Sequence, residues 1–374
     1  MKITLERPAL LKTLGHVQNV VEKRNTIPIL ANVLIRTGGQ SVSFAATDMD
    51  LEITESLPNE GSQRTHGAVT APAHTLFEIV RKLPEGSHVE LHAAQPNQLT
   101  LSAGRAHFKL GCLPVEDFPQ ISEGHYAHKF SLSASDLKVL IDRTKFAISN
   151  EETRYYLNGI YLHSTKSKGG PEVLRAVATD GHRLARVEMP APTGVKNLEG
   201  VILPRKVVTE LRKLLDETNS DIEVALSENK VRFSFGDIVL TSKLIDGTFP
   251  DYERVIPAGN DKMMQVDARL MAAAVDRVAT ITSEKTRAIK LSLGQGHLTL
   301  FANSPEAGSA SEELEVKYDG PVLEIGFNAR YLLDILQQVE SEGAKFNFAD
   351  GASPVIVQDV ADHSSLFVIM PMRV

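Results

Sequence analysis

One pattern recurs three times along this chain of 374 residues, and that repetition narrows the possible folds more than any single motif. Near Met1, Phe130 and Met264 a short strand of alternating apolar and polar residues meets a helix-starting residue and runs into an amphipathic helix. In the first copy Ile3 and Leu5 flank Thr4, Pro8 suits the first helical turn, and Leu10, Leu14, Val17 and Val21 follow at helical spacing. In the second, Phe130 and Leu132 flank Ser131, Ser133 or Ser135 is placed to cap, and Leu137, Leu140, Ile141 and Thr144 continue the stripe. In the third, Met264 and Val266 precede Asp267 as N-cap, with Leu270, Ala274, Val278 and Ile281 behind it. Each copy holds a second helix halfway along, over 72–83, 204–211 and 328–336, and short β-rich stretches such as 231–235 and 355–357 fill the gaps. Each copy therefore reads as two βαβββ halves. Helices so sparse among many strands predict an α+β fold with antiparallel sheets. The copies start about 130 residues apart, a normal domain length, and give three domains at 1–125, 126–256 and 257–374.

Charge sets a puzzle for function. Forty Lys and Arg stand against 47 Asp and Glu, a formal net charge of −7, whereas nucleic-acid binders usually carry a net basic domain. The positions of the bases answer part of it. Lys12, His16 and Lys23 fall at helical spacing with Arg24 following; Lys138 and Lys145 share a face beside Arg143. Arg205, Lys206, Arg212 and Lys213, then Arg269 and Arg277, Arg81 and Lys82, and Arg330 mark the other helices. Acids are interleaved, so each helix alone reads as a solvated face. All six facing one hole would instead make a channel that holds duplex DNA through its phosphates without reading sequence.

Other classes find little support. The N-terminus alternates and lacks a signal peptide's apolar run, and no stretch approaches the roughly 20 apolar residues that span a bilayer. The single cysteine, Cys112, forms no intrachain disulfide and fits a reducing cytoplasm. His125 and His128 lie in an expected linker without a carboxylate cluster, so neither a metal nor a cofactor is expected. The best catalytic candidate, a hydrolase pair of Asp180 and His182, lacks a nucleophile elbow, and Asp180-Gly181 reads more simply as a turn. A repeat scaffold that binds proteins but not DNA is the other alternative; it has no need of basic helix faces in all three repeats.

The stretches Ala178-Thr179-Asp180-Gly181-His182-Arg183-Leu184, Arg154-Tyr155-Tyr156-Leu157-Asn158-Gly159, Thr241-Ser242-Lys243-Leu244-Ile245-Asp246-Gly247, Phe249-Pro250-Asp251-Tyr252 and Val368-Ile369-Met370-Pro371-Met372-Arg373-Val374 resemble, in order, the bacterial DNA polymerase III β sliding clamps. The resemblance runs over the whole chain. It implies the DNA-clamp fold, with helices lining the inner face of a ring and sheets outside. The ring would be a head-to-tail homodimer that encircles duplex DNA and confers processivity without being an enzyme. Its partners would be the polymerase III alpha subunit, the clamp loader and other proteins bearing a clamp-binding motif. The family's peptide site, carried over, comprises Leu157, Thr179, Gly181, His182, Arg183, Leu184, Pro250, Arg254, Val255, Tyr331, Val368, Met370, Pro371, Met372 and Arg373. Apolar members of that set suit hydrophobic anchors, methionine adapts to differing partners, and Arg and His fix polar atoms. DNA contact would fall to Arg24, Tyr155, Tyr156, Arg205 and Lys206, with Glu151 a departure where Gln is familiar. At the subunit interface Phe108 and Leu110 would meet Ile281 of a second copy, while Arg105 would pair with an acid such as Glu306 or Glu312. His107, Thr75 and Ser309 replace familiar charged residues, so fewer interchain ion pairs are expected; each is worth little.

Overall fold

The computed structural model describes all residues except 23–25, 60–65, 123, 168, 284–286 and 374. Six α-helices are described: α1 (Arg7–Gln18), α2 (Ala73–Lys82), α3 (Ala134–Lys145), α4 (Arg205–Leu215), α5 (Ala268–Ala279) and α6 (Ala329–Leu336). One strand precedes each helix and three follow it, so the six βαβββ halves expected from the repeat are present. Caps fall where the chemistry predicts. Asp267 accepts from the Leu270 amide at 2.8 Å, and Ser133 accepts from the Asp136 amide at 3.0 Å. Among the described residues no helix is long and apolar enough to cross a membrane.

The halves are interlocked rather than stacked. The strand Lys2–Glu6, which opens the first half, pairs with His88–Gln95 of the second, and Gly67–Pro72, which opens the second, pairs with Asn32–Gly38 of the first. The same exchange occurs in the other two repeats. Period-two alternation states which face of a strand is buried but not which neighbour it takes, so this swap was invisible in the sequence.

Sequence repeats and compact units do not coincide. One unit comprises residues 1–136 and 206–244, the other 137–205 and 245–374, and the second repeat is divided between them. The first unit holds an eight-stranded sheet in which Leu51–Pro58 of repeat one pairs antiparallel with Ile238–Lys243 of repeat two. The second holds an eight-stranded sheet in which Arg183–Pro190 of repeat two pairs antiparallel with Ser365–Ile369 of repeat three. Each unit also contains a four-stranded sheet, ending at Ala106–Gly111 in the first and at Gly308–Glu315 in the second.

Candidate functional site

In the second unit, residues opposite one another in the antiparallel ladders share a face. The row Ile202, Tyr161, Val177, Arg186, Leu366 lies beside the row Thr179, Leu184, Val368, Ile356. Val177, Leu184, Ile202, Leu366 and Val368 from this face form one apolar cluster with Leu157, which ends the short 3-10 helix Glu152–Leu157, and with Phe249 and Tyr252 of the strap 245–256. Leu157, Leu184 and Val368 of the expected peptide site are thereby brought together, each no more than 4% exposed. Val177, Ile202 and Leu366 belong to the same cluster and were missed, although their alternation in paired strands was an available signal; Phe249, on the strap, carried none.

A turn and the C-terminal strand carry the other residues of the expected site. Gly181 has φ +88°, a left-handed backbone that favours glycine, and a Cβ there would lie 2.7 Å from Arg154 Nη1, so a side chain would also have to displace that guanidinium. The Asp180 carboxylate accepts from the amides of His182 and Arg183 at 2.9 and 3.0 Å, and Thr179 Oγ1 accepts from the Gly181 amide at 3.1 Å. The Met370 amide donates to the His182 carbonyl at 2.9 Å, which seats Met370 at 37% exposure beside the turn. Pro250, Arg254 and Val255 are exposed on the strap, and Arg254 pairs with Asp251 at 2.7 Å. Pro371 and Met372 are half-buried, the latter bridged to Gly326, and Arg373 is exposed.

Arg183 departs from the expectation of a polar contact held out to a ligand. It is 8% exposed, and its Nε, Nη1 and Nη2 donate to Asp180, Asp334 and the Phe146 carbonyl at 3.1, 2.5 and 2.6 Å. Its guanidinium lies 4.3 Å from the Tyr331 ring centre, and His182 stacks on the same ring at 6.3 Å. Arg183 orients Tyr331 and the turn. Asp180 is spent on the turn and on Arg183, so the Asp180–His182 pair is a turn builder and its outward ring.

The basic residues are more engaged than helical spacing suggests. Arg143, expected beside Lys138 and Lys145 on a polar face, is 7% exposed and pairs with Glu340 at 3.1 Å and with Asp362. Those acids are about 200 residues away in sequence, Asp362 by 219, so no local pattern pointed to them. Lys206 donates to Asp48, to Glu22 at 3.2 Å and to the Val20 carbonyl at 3.3 Å. Burial opposes the Lys206 charge, but the carboxylates outweigh it and hold its pKa above the ordinary lysine value. Arg205 donates to the carbonyls of Ile148 and Ser149 at 2.6 and 2.9 Å, and burial lowers its pKa. Tyr155 is 53% exposed, Tyr156 packs on the apolar cluster, and the Glu151 carboxylate accepts from Arg154 Nε and Nη2 at 2.7 and 2.6 Å. Arg24 lies outside the described residues.

On the edge strand 106–111, Phe108 is half-buried and Leu110 is 8% exposed, with Arg105, His107 and Lys109 exposed. On the edge strand 308–315, Glu313 and Glu315 are exposed, and Glu306 is exposed just before it. Glu312 is already engaged by Arg277 of α5, whose Nε donates at 3.0 Å, and Ile281 is half-buried just past that helix.

Sequence models of the N-terminal, central and C-terminal domains of the DNA polymerase III beta subunit match residues 1–122, 131–251 and 253–373. The chain belongs to the DNA polymerase III beta subunit family, the beta sliding clamps. It is 53% identical to the beta sliding clamp of Caulobacter vibrioides, with all of both chains covered. Sliding clamps of Bartonella birtlesii and Pseudomonas aeruginosa, each solved bound to griselimycin, superpose with TM-scores of 0.96 and 0.94 at 50% and 40% identity, covering all of both chains. Beta sliding clamps are non-catalytic processivity factors of DNA polymerase III, and this chain's function is that of a DNA sliding clamp. The hydrolase and scaffold alternatives are set aside by that membership.

Proposed function

We propose that two copies of this chain close head to tail into a ring around duplex DNA and tether polymerase through the groove of the second unit. One observation carries the ring. Both joins between sequence repeats obey one rule: the last strand of a repeat's first half pairs antiparallel with the last strand of the next repeat's second half. The same rule applied once more leaves Gly308–Glu315 of repeat three and Ala106–Gly111 of repeat one as mutual partners. Within a chain these are the ends of two four-stranded sheets; between copies they make a heterologous contact that closes or polymerises. Arg105, His107 and Lys109 facing Glu306, Glu313 and Glu315 would favour this pairing over self-pairing of either edge.

The groove accepts a short peptide segment of the polymerase III alpha subunit, the clamp loader or another clamp-binding protein, with apolar anchors over Leu157, Leu184 and Val368 and the turn 179–183 as rim. Griselimycin, bound to the sliding clamps of Bartonella birtlesii and Pseudomonas aeruginosa, is the ligand with which we propose to probe this groove. Tyr155, Arg205 and Lys206 supply sequence-independent phosphate contacts, and a replisome subunit with a lone cysteine belongs in the cytoplasm.

The ring is tested by cross-linking. With Cys112 replaced by serine, Lys109→Cys and Glu313→Cys are combined and treated with a thiol-reactive bridging reagent. Covalent dimers as the end product support the closed ring, a ladder of higher multimers would mean an open chain, and unlinked monomer would remove the interface.

A further inference from the structure

The sheet face that floors the groove continues into a polar cluster that the apolar floor does not use. Cross-strand rows run side by side from Thr179–Leu184 through Val177–Arg186 to Arg175–Glu188. Arg175, in the middle of the strand Glu172–Thr179, is 4% exposed. A buried cation is costly unless its donors are paired. Glu188 accepts from Nε and Nη2 at 3.1 and 2.9 Å. Nη1 reaches off the sheet to the strap, donating to the Tyr252 hydroxyl and the Glu253 carboxylate, each at 2.8 Å.

The cluster extends one bond further. The Tyr252 hydroxyl donates to His163 Nε2 at 2.9 Å, while His163 Nδ1 faces the Ser164 carbonyl at 3.4 Å. Burial, with Arg175 alongside, lowers the His163 pKa, which suits a neutral ring whose Nε2 accepts this hydrogen bond. Beneath, Tyr161 stacks on Phe249 with centres 4.7 Å apart and planes 2° from parallel. An ion pair and a stack on the sheet therefore grip the same strap that carries Pro250, Arg254 and Val255 exposed along its outer side.

We propose that Arg175 is a positioning residue for groove ligands: by tying Tyr252 and Glu253 to Glu188 it fixes the strap as a wall of the groove. The inference rests on the groove reading above. Arg175 itself, buried behind Tyr252, would touch no ligand.

The test uses the full chain, griselimycin as ligand, and three variants: Tyr252→Phe, Arg175→Met and Arg175→Lys. Calorimetry reads affinity, and amide hydrogen exchange reads the strap. The expected result is griselimycin binding weakened about tenfold in Tyr252→Phe and Arg175→Met, as loss of a charge-assisted hydrogen bond implies. Exchange should quicken over 249–256 and stay unchanged in the strand 183–190, and Arg175→Lys should recover part of both. If Arg175→Met does not fold, Tyr252→Phe, which removes one hydroxyl and no charge, decides alone. Unaltered affinity and strap exchange in Tyr252→Phe would overturn the proposal, as would exchange rising equally across the sheet. If the unmodified chain fails to bind griselimycin, the groove reading falls, and the strap's exchange still decides whether Arg175 positions it.

Discussion

His16 shows how a residue read as one more base on a helix face becomes a structural device. It is 8% exposed, with Nδ1 2.7 Å from Glu55 and Nε2 3.0 Å from Glu217, and Thr13 donates to the other Glu55 oxygen at 2.7 Å. Burial disfavours its charge, but bonds and attraction from Glu55 and then Glu217 outweigh burial and raise its pKa above the ordinary 6.5. A raised value in the folded state means that the stabilisation is complete below pH 6.5 and lost as pH rises through that raised value. Urea unfolding of the first unit between pH 6 and 9 should show stability falling with pH, and His16→Gln should flatten that slope. The same variant should cost about 2 kcal/mol at pH 6, since it removes the charged partner of the buried Glu55 carboxylate and leaves it Thr13. A pH-independent difference between the two proteins would contradict this reading. Lys206 gives a second prediction at this scale. Asp48 and Glu22 compete with DNA for its ammonium, so Asp48→Asn should free it for a phosphate. Filter binding of a linear duplex should then tighten several-fold and its salt dependence steepen by about one ion, the increment of one phosphate contact.

At the scale of elements, much was legible and one rule was not. The period-3.6 stripes placed the first helix of each repeat, because burial of one face is what such stripes encode, but Leu270, counted in the third stripe, is 61% exposed on α5 and lies off its buried face. The stripes ran past the helix ends: Val21 and Ile281 lie beyond α1 and α5, Val21 still buried in the core after the helix has ended and Ile281 only half-buried. Strand partnership escaped because alternation is satisfied by any neighbour that buries the same face. The expected peptide site was legible only through resemblance; Arg183 and Arg175 carry no local sign that Asp334 of α6 and Glu188 of the neighbouring strand pair with them. The edges yield a charge-swap prediction. Lys109→Glu should weaken dimerisation about tenfold in sedimentation analysis, and adding Glu313→Lys should restore most of it, whereas restoration by neither would show that these strands do not face one another.

At the scale of the molecule, a chain with net charge −7 gains from topology what electrostatics gives sparingly. Among the bases placed on helices, Arg81, Lys145, Arg277 and Lys206 are paired with carboxylates, so tight phosphate binding is not what the fold provides. A closed ring holds DNA without affinity, because escape needs an open interface or a free end. The most direct measurement loads the protein with a clamp loader and ATP onto a nicked circular plasmid. It is then washed in high salt before and after the plasmid is linearised, with a beta sliding clamp of known loading run alongside. The account predicts retention on the circle and loss from the linear form; equal loss from both, while the control stays on its circle, would contradict encirclement.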